Sequence, residues 1–258
     1  MNWYLYALTA ALGLANLAAL PQAYAVGGGG NFTVNEAALT ADPQTLEADS
    51  LDLTYHDCLK FGGFDNRRFR DVGYLWISSY QDADSVVNSQ INYSNAGGTN
   101  GYNIYAKYLY SGQQAMAPQA TPTGNRINYT VDPNAPFELW LDPNQDTTLG
   151  LIAFNCLYVS AGTADDILLG TANNVQVGER SETDGLANGD FELCYDDWSF
   201  TARGDEWIKL VGGMSFTSMS FNGNITRLMG GMLKQDHRAE GSGNIFWDPP
   251  DCDQFANN

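Results

Sequence analysis

Phe137-Glu138-Leu139-Trp140-Leu141-Asp142-Pro143-Asn144-Gln145-Asp146-Thr147-Thr148-Leu149 is the stretch that decides the fold of this chain. Its first five residues alternate, so Phe137, Leu139 and Leu141 share one face of a strand while Glu138 and Trp140 share the other. Pro143 then ends the strand, and a turn rich in side-chain oxygens follows. The pattern predicts a β-rich domain with one buried sheet face rather than an enzyme.

Similar short runs recur along the chain and are separated by clusters of Gly, Asn, Asp and Pro. They span residues 51–55, 72–78, 86–93, 102–110, 126–131, 137–141, 149–159, 190–195, 198–202, 207–211, 214–221, 225–233 and 244–247. About a dozen strands predict an all-β fold, a single-domain β-sandwich or jelly roll with long loops and a flexible N-terminal arm. Residues 149–159 do not alternate, which suggests burial on both faces or partial helix. Residues 164–169 and 226–234 are the other candidates for a short helix.

The charge of the chain excludes several kinds of partner. Thirty acidic residues against 12 basic ones give a net charge of −18. Such a surface repels phosphate backbones and anionic membranes, so we expect no nucleic-acid binding and no membrane insertion of the mature chain. It attracts divalent cations and makes self-association sensitive to salt and pH.

The N-terminal segment is typical of a signal peptide. Residues 1–25 carry no charged side chain, are mostly apolar from residue 5 to residue 20, and end in Ala23-Tyr24-Ala25, which suits signal peptidase. The mature chain would begin at Val26 and be secreted or held at the cell surface. No Lys or Arg precedes the apolar run, so a retained membrane anchor is the alternative.

Residues 26–40 read as an N-terminal arm that precedes a β-domain at residues 41–258. Four consecutive glycines, residues 27–30, lead into Asn31-Phe32-Thr33-Val34, where Phe32 and Val34 share one face. The glycines form a flexible hinge. The strand can fold back onto its own sheet, or it can be donated to the sheet edge of a neighbouring subunit. The sequence leaves both alternatives open.

Four cysteines, Cys58, Cys156, Cys194 and Cys252, form an even set in a chain with an export signal. This predicts two disulfides with three connectivities open. The lack of close Cys pairs argues against a four-thiolate zinc site. A bridge to Cys252 would fasten the C-terminal tail to the body.

The turn after residue 141 is the candidate metal site. Asp142, Asn144 and Asp146 place carboxylate, amide and carboxylate oxygens at alternate positions, as calcium loops do. The glycine and glutamate that an EF-hand loop would need are replaced by Thr147 and Ala153. The alternative is an Asp-Pro turn capped by its own Asp side chain, and the sequence repeats an Asp-Pro pair at residues 132–133.

No catalytic residue is predicted. Adjacent acids occur at residues 165–166, 196–197 and 205–206, but neighbours on a strand point to opposite faces, which does not suit a glycosidase pair. The only histidines, His56 and His237, are interpreted as surface or hydrogen-bonded residues. Neither a nucleophile elbow nor a nucleotide-binding fingerprint is present.

Two further clusters have a functional and a structural interpretation. Four tyrosines, Tyr102, Tyr105, Tyr108 and Tyr110, lie on one strand, where they can stack on sugars or simply pack in the core. Residues 65–71 hold three arginines, which can meet an acidic patch on another copy or form local ion pairs.

The chain resembles the flocculation-associated PEP-CTERM proteins of Gram-negative bacteria. The residues that carry the resemblance are 31–36 after the signal peptide, the strand and turn at residues 137–149, and Gly189-Asp190-Phe191. The resemblance implies an exported, β-rich extracellular protein that helps cells aggregate. The chain departs from the family at residues 248–258, where the Pro-Glu-Pro signal, apolar helix and basic cluster are missing.

Three functional classes follow from these features. The first is a secreted structural subunit of an extracellular filament or biofilm matrix that assembles with itself through strand edges. The second is a calcium-dependent, lectin-like module that binds polysaccharide through Asp142, Asn144, Asp146 and the tyrosines. The third is a secreted hydrolase with an acid pair.

Overall fold

The structure, a computed structural model, describes residues 31–39, 44–62, 67–83, 85–91, 101–114, 119–121, 124–132, 136–152, 156–172, 175–183, 190–195, 198–211, 219–230 and 237–247. The fold is all-β and sandwich-like, as the alternating runs predicted. The predicted signal peptide and the glycine hinge lie outside the described residues.

Eighteen strands, numbered in chain order, account for most of the described residues. They are β1 (Phe32–Asn35), β2 (Thr45–Ala48), β3 (Ser50–Gly62), β4 (Arg68–Asp82), β5 (Ser85–Val86), β6 (Asn103–Gln114), β7 (Gln119–Thr121), β8 (Gly124–Val131), β9 (Phe137–Asp142), β10 (Thr148–Ile152), β11 (Leu157–Ala161), β12 (Ile167–Ala172), β13 (Val175–Thr183), β14 (Asp190–Tyr195), β15 (Trp198–Phe200), β16 (Ile208–Leu210), β17 (Met219–Gly230) and β18 (His237–Trp247). A 3₁₀ turn, Glu36–Ala38, and one helix, α1 (Ala202–Trp207), complete the set.

Most strands form one large antiparallel sheet in the order β15-β12-β9-β6-β4-β3-β18-β17-β14-β13-β8-β7. β6 lies at a branch in this sheet. One of its edges pairs with β4, while its other edge pairs first with β9 and then, at residues 112–114, with β8. Because β8 and β6 stand far apart in the strand order, this last pairing closes the sheet back on itself.

A small sheet, β16-β1-β2, covers the inner face of the large one. β1 is its central strand and is paired on both edges. The small sheet and the inner face share one hydrophobic core, which also takes in Trp207 from α1. Its members include Phe32, Val34, Leu46 and Ala48 from the small sheet and Leu53, Leu75, Ile104, Phe137 and Leu139 from the large one.

The β10–β11 hairpin forms a separate two-stranded sheet on the opposite, outer face of β3, β4 and β6. A second, smaller cluster lies beneath it, made of Cys58, Val72, Tyr74, Leu151 and Cys156 with Trp76, Leu109, Leu149 and Tyr158 at its border. The large sheet is therefore covered on both faces by different elements.

Several local predictions from the sequence are wrong. Residues 149–159 form neither one doubly buried strand nor a helix; they contain β10 and β11, with residues 153–155 outside the described part. Residues 164–169 belong to a turn and to β12, and residues 226–230 belong to β17, so the described part of neither candidate is helical; residues 231–234 lie outside the described residues. The helix is α1, where the Thr201 hydroxyl caps the backbone N–H of Gly204.

With six residues, α1 is the longest helix in the described part of the chain. No helix there is both long and apolar enough to cross a bilayer.

Candidate functional site

The turn after β9 is organised by Asp142. This side chain is fully buried, one carboxylate oxygen accepts the backbone N–H of Asp146 at 3.3 Å, and the other accepts that of Thr147 at 3.0 Å. Backbone N–H groups are the partners expected of an Asx-type turn. The carboxylate thus holds the turn closed, as in the Asp-Pro alternative.

The side chains of the other two predicted calcium ligands are not hydrogen-bonded to Asp142 in the described contacts. The Asn144 amide donates to Asp165 at 2.5 Å, and the Asp146 side chain is exposed. Within the described ranges, no group of three or more His, Cys, Asp or Glu side chains is placed to hold a metal ion. The described contacts fit the turn, and calcium binding at Asp142, Asn144 and Asp146 stays a prediction.

A second loop, residues 162–166, packs against this turn. Gly162 has a φ of +78°, and a Cβ there would lie 2.2 Å from the backbone oxygen of Asp146, so a glycine is required where the loops meet. The Thr147 hydroxyl reaches both carboxylate oxygens of Asp166, at 2.9 and 3.0 Å. The two loops form one unit, which we call the acidic loop pair (residues 142–147 and 162–166).

Within the acidic loop pair, Asp166 is the carboxyl whose pKa is shifted by its surroundings. Partial burial raises the pKa of its carboxyl, and the nearby carboxylates of Asp142 and Asp165 raise it further. Hydrogen bonds from the hydroxyls of Tyr105 and Thr147 oppose this rise without cancelling it. The same contact raises the pKa of Tyr105, after burial as the main cause, so the phenol keeps its proton and donates.

The adjacent acids of the acidic loop pair do not face each other. Asp165 is exposed and accepts from Asn144, whereas Asp166 turns toward Tyr105 and Thr147. Asp205 and Glu206 lie on α1, and Asp196 and Asp197 lie outside the described residues. The structure therefore gives no neighbouring acid pair a shared site among the residues it describes.

The four tyrosines at residues 102–110, three on β6 and Tyr102 just before it, divide between the two sheet faces. Tyr108 and Tyr110 belong to the inner core, and Tyr102 lies there with its hydroxyl 2.7 Å from Glu36 and 2.8 Å from Tyr80. The Trp207 indole N–H donates to Tyr80 at 3.1 Å. This buried polar network joins the 3₁₀ turn, the large sheet and α1, which is a structural role.

Tyr105 takes part in a row of aromatic residues on the outer face. It lies directly opposite Trp76 of β4 on one side and Trp140 of β9 on the other, and the Trp76 and Tyr105 rings are 5.3 Å apart. Beside them, the Lys107 ammonium lies 4.5 Å from the Trp140 ring and 3.6 Å from the Glu138 carboxylate. Sequence reasoning missed this row because only strand register brings the three residues together.

The β10–β11 hairpin is fixed to the sheet at two points. Cys58 and Cys156 form a disulfide across a sequence separation of 98 residues. The Tyr158 hydroxyl accepts the backbone N–H of Tyr108 at 2.8 Å and contacts the carbonyls of Tyr108 and Gly73. Burial raises the pKa of Tyr158, so this hydroxyl stays protonated and can donate. A covalent bond and a hydrogen-bond anchor thus hold one short hairpin.

The Cys58–Cys156 bridge removes two of the three connectivities, which leaves Cys194 with Cys252 as the predicted second pair. Cys252 and the Cys194 side chain lie outside the described residues. In the sheet, Cys194 is opposite Ser220, and Ser220 is opposite Phe246, so Cys194 and Phe246 are roughly 10 Å apart. The chain from Phe246 to Cys252 is long enough to cover that distance.

The remaining candidates have structural contacts. His56 lies 3.5 Å from Glu240 and stacks on Tyr74 with ring centroids 5.0 Å apart. The Arg67 guanidinium donates to the carbonyl of Gln114 at 3.1 Å. The side chain of His237 lies outside the described part.

The strand of the predicted arm lies within its own chain. Phe32 and Val34 are fully buried in the core, and β1 makes register pairs with both β2 and β16. This arrangement is the fold-back alternative, and donation of the strand to a neighbour stays a prediction.

Comparison with known proteins finds no match: no family model matches the chain, and neither a curated protein nor a solved structure is similar to it.

Proposed function

We propose that this protein is an exported structural subunit that associates with copies of itself through the edges of its β-sheets, in an extracellular filament or matrix. The observation that carries the proposal is the number of strand edges without an intramolecular partner in the described residues. β15 and β7 end the large sheet, β16 and β2 end the small one, and β10 and β11 pair with each other alone. Open edges are templates for pairing with another chain.

Two further features support an extracellular assembly. Disulfides form and persist mainly in oxidising compartments outside the cytoplasm. The Cys58–Cys156 bridge therefore agrees with the export that the signal peptide predicted for residues 1–25 implies. A net charge of −18 keeps single copies apart at low salt and lets screening or divalent cations bring them together. The resemblance to flocculation-associated proteins supports the same class of function.

One route to assembly is exchange of β1. The strand makes four register pairs with β2 and three with β16, and a copy that donates it would recover the same contacts in its neighbour. Such swapping needs a hinge between β1 and the rest of its own chain, and residues 36–44 make that connection. The glycines at residues 27–30 precede β1 and lengthen only its free end. The buried Phe32 and Val34 would then fill the neighbour's core instead of their own.

The first test is electron microscopy of the chain from Val26 onward, at low and physiological salt, with and without millimolar calcium. We expect regular polymers. A chain that stays monomeric at every concentration, salt and calcium level would overturn the proposal. Polymers that require calcium would make the acidic loop pair the next target.

A second test isolates strand exchange. Thr33 and Lys209 lie directly opposite each other on β1 and β16, so the double variant Thr33→Cys/Lys209→Cys can lock β1 in its own chain without removing core residues. If exchange drives assembly, the locked protein stays monomeric, while the matched Thr33→Ser/Lys209→Ser protein assembles. Equal assembly of both would exclude exchange and leave direct edge pairing.

A second candidate function is carbohydrate binding on the outer face. Trp76 and Trp140 are half-buried and lie on either side of the fully buried Tyr105, next to Lys107 and Glu138. Partly exposed aromatic rings with adjacent polar groups suit sugar rings. A glycan array followed by calorimetry on the Trp140→Ala variant tests this function. Absence of any glycan signal with the unmodified protein would exclude it.

A further inference from the structure

The outer face of the β10–β11 hairpin is apolar and exposed. Directly opposite pairs are Ile152 with Leu157 and Gly150 with Val159, and these side chains point away from the protein. Leu151 and Tyr158 alternate with them and pack on the sheet below. The inward face of the hairpin is therefore buried against the large sheet, and its outward face is exposed to solvent.

The exposed apolar groups of the described chain concentrate on this face. Five large hydrophobic residues are exposed in the described part of the chain, and three of them lie on the hairpin: Ile152 at 45%, Leu157 at 44% and Val159 at 50%. The other two are Val86 on β5 and Val211 in the turn after β16. A contiguous apolar patch on a soluble protein marks a contact surface more often than scattered single residues do.

We infer that this hairpin face is a homotypic contact that packs against the same face of a second copy. The inference rests on the proposed self-association and specifies its surface. Two copies that each carry a charge of −18 repel each other over most of their surface. Residues 148–152 and 157–161 contain no charged side chain, so the two strands place no carboxylate in the contact itself, and the exposed Asp146 and Asp165 lie in the loops at one end of the hairpin.

The same charge argument disfavours other occupants. A cationic partner would find no carboxylate on the hairpin strands to pair with, and an anionic surface would be repelled by the rest of the molecule. A flat face made of alternating aliphatic residues is complementary to itself. Packing about a two-fold axis therefore buries both copies of the patch equally.

The size of the face predicts the strength of the contact. Five residues per strand span about 17 Å and two strands are about 10 Å wide, so the face covers roughly 170 Å². This area is well below the roughly 800 Å² per partner of a standard interface. The contact is therefore weak alone and gains strength where several contacts act together. A two-fold contact closes at the dimer, so a filament needs it in combination with the strand-edge contact.

The experiment is sedimentation velocity of the chain from Val26 onward, over a wide concentration range at low and high salt. Val159→Glu is the test variant. Val86→Glu is the matched control, because it adds the same charge at a valine that is 70% exposed on another strand. Circular dichroism and the intact Cys58–Cys156 bridge check that both variants are folded.

We expect a dimer that strengthens with salt, a rise of at least about tenfold in the dimer dissociation constant for Val159→Glu, and no change for Val86→Glu. Val159→Thr, which keeps shape and charge, should give a smaller rise. Association that is unaffected by Val159→Glu, or weakened equally by both glutamates, overturns the hairpin contact and leaves the proposed function standing. A hairpin-dependent dimer that never extends into polymers supports the contact and overturns the proposed function.

Discussion

The two faces of the large sheet are held by different kinds of interaction. On the inner face, Phe137, Tyr195, Trp198 and Trp247 pack among many other buried residues, with ring centroids 5.3 Å apart for Phe137 and Tyr195 and 4.9 Å apart for the two tryptophans. On the outer face, the β10–β11 hairpin packs Leu151 and Cys156 onto Cys58, Val72 and Tyr74 of the sheet and is tied down by the Cys58–Cys156 bridge.

This difference predicts how substitutions on each face affect the stability of the protein. Burying one large apolar side chain stabilises the fold by about 1.5–3 kcal/mol, so an extensive core distributes its stability over many residues. The small outer cluster supplies few such contributions. The disulfide and the hydrogen bonds of Tyr158 therefore decide whether the β10–β11 hairpin stays packed on the sheet. We therefore expect inner-face changes to unfold the protein and outer-face changes to release the hairpin.

The largest effect is expected for Phe137→Ala. Phe137 is fully buried between Tyr108, Tyr195 and Trp198, so its truncation leaves a cavity that costs about 3–5 kcal/mol. Chemical denaturation measures the loss. Trp140→Ala on the opposite face of the same strand is the control and should cost less, because Trp140 is only half-buried. Equal losses would contradict the division between the faces.

The next largest effect is expected for the double variant Cys58→Ser/Cys156→Ser. Opening a loop of this length lowers the free energy of unfolding by about 2–4 kcal/mol. Limited proteolysis under native conditions should then cut within residues 148–161 before other sites. If cleavage is equally slow with and without the bridge, the hairpin is held mainly by its apolar contacts, and our account of the outer face is wrong.

A smaller loss is expected for Tyr158→Phe. The change keeps the ring and removes the hydroxyl that accepts from the Tyr108 N–H and contacts the Gly73 carbonyl, at a cost of about 1–3 kcal/mol. Hydrogen exchange at the Tyr108 amide measures it directly and should become faster. Leu157→Ala, an exposed hairpin residue, is the control that should leave this amide unchanged.

The smallest effect is a pH dependence at Asp166. Because the folded chain raises the pKa of this carboxyl, the stability that its proton provides is present below about pH 4 and is lost as the pH rises through the raised pKa. Asp166→Asn does not titrate, so its Tm relative to wild type should rise between about pH 4 and pH 7. Thermal unfolding at several pH values tests this, with Asp82→Asn, an exposed acid at the end of β4, as control. A constant difference in Tm would contradict it.

Local patterns predicted some elements well and others badly, for identifiable reasons. The alternation at residues 137–141 predicted β9 and its buried face, and residues Phe137, Leu139 and Leu141 do lie in the core. The mixed apolar spacing of residues 164–169 made them a candidate for a short helix, but residues 167–169 lie in β12, which contains a register shift between Leu168 and Gly170. A bulge of this kind breaks the two-residue period that identifies a strand.

The candidate site was predictable only in part. The Asp-Pro sequence predicted the turn that Asp142 caps, because that bond joins residues close in the chain. The contacts of Asp166 with Tyr105 and Thr147, and the aromatic row of Trp76, Tyr105 and Trp140, join residues far apart in sequence. Their proximity depends on strand order and register, which no local pattern specifies.

The sequence by itself determined the β class, the buried face of β9, the acidic surface and the supply of cysteines, because alternation, charge and composition are local properties of the chain. Tertiary structure alone decided that Cys58 pairs with Cys156, that β1 lies between β2 and β16, and that Ile152, Leu157 and Val159 face outward. These outcomes depend on which distant strands meet and in what register, which is decided only when strands far apart in sequence pack together.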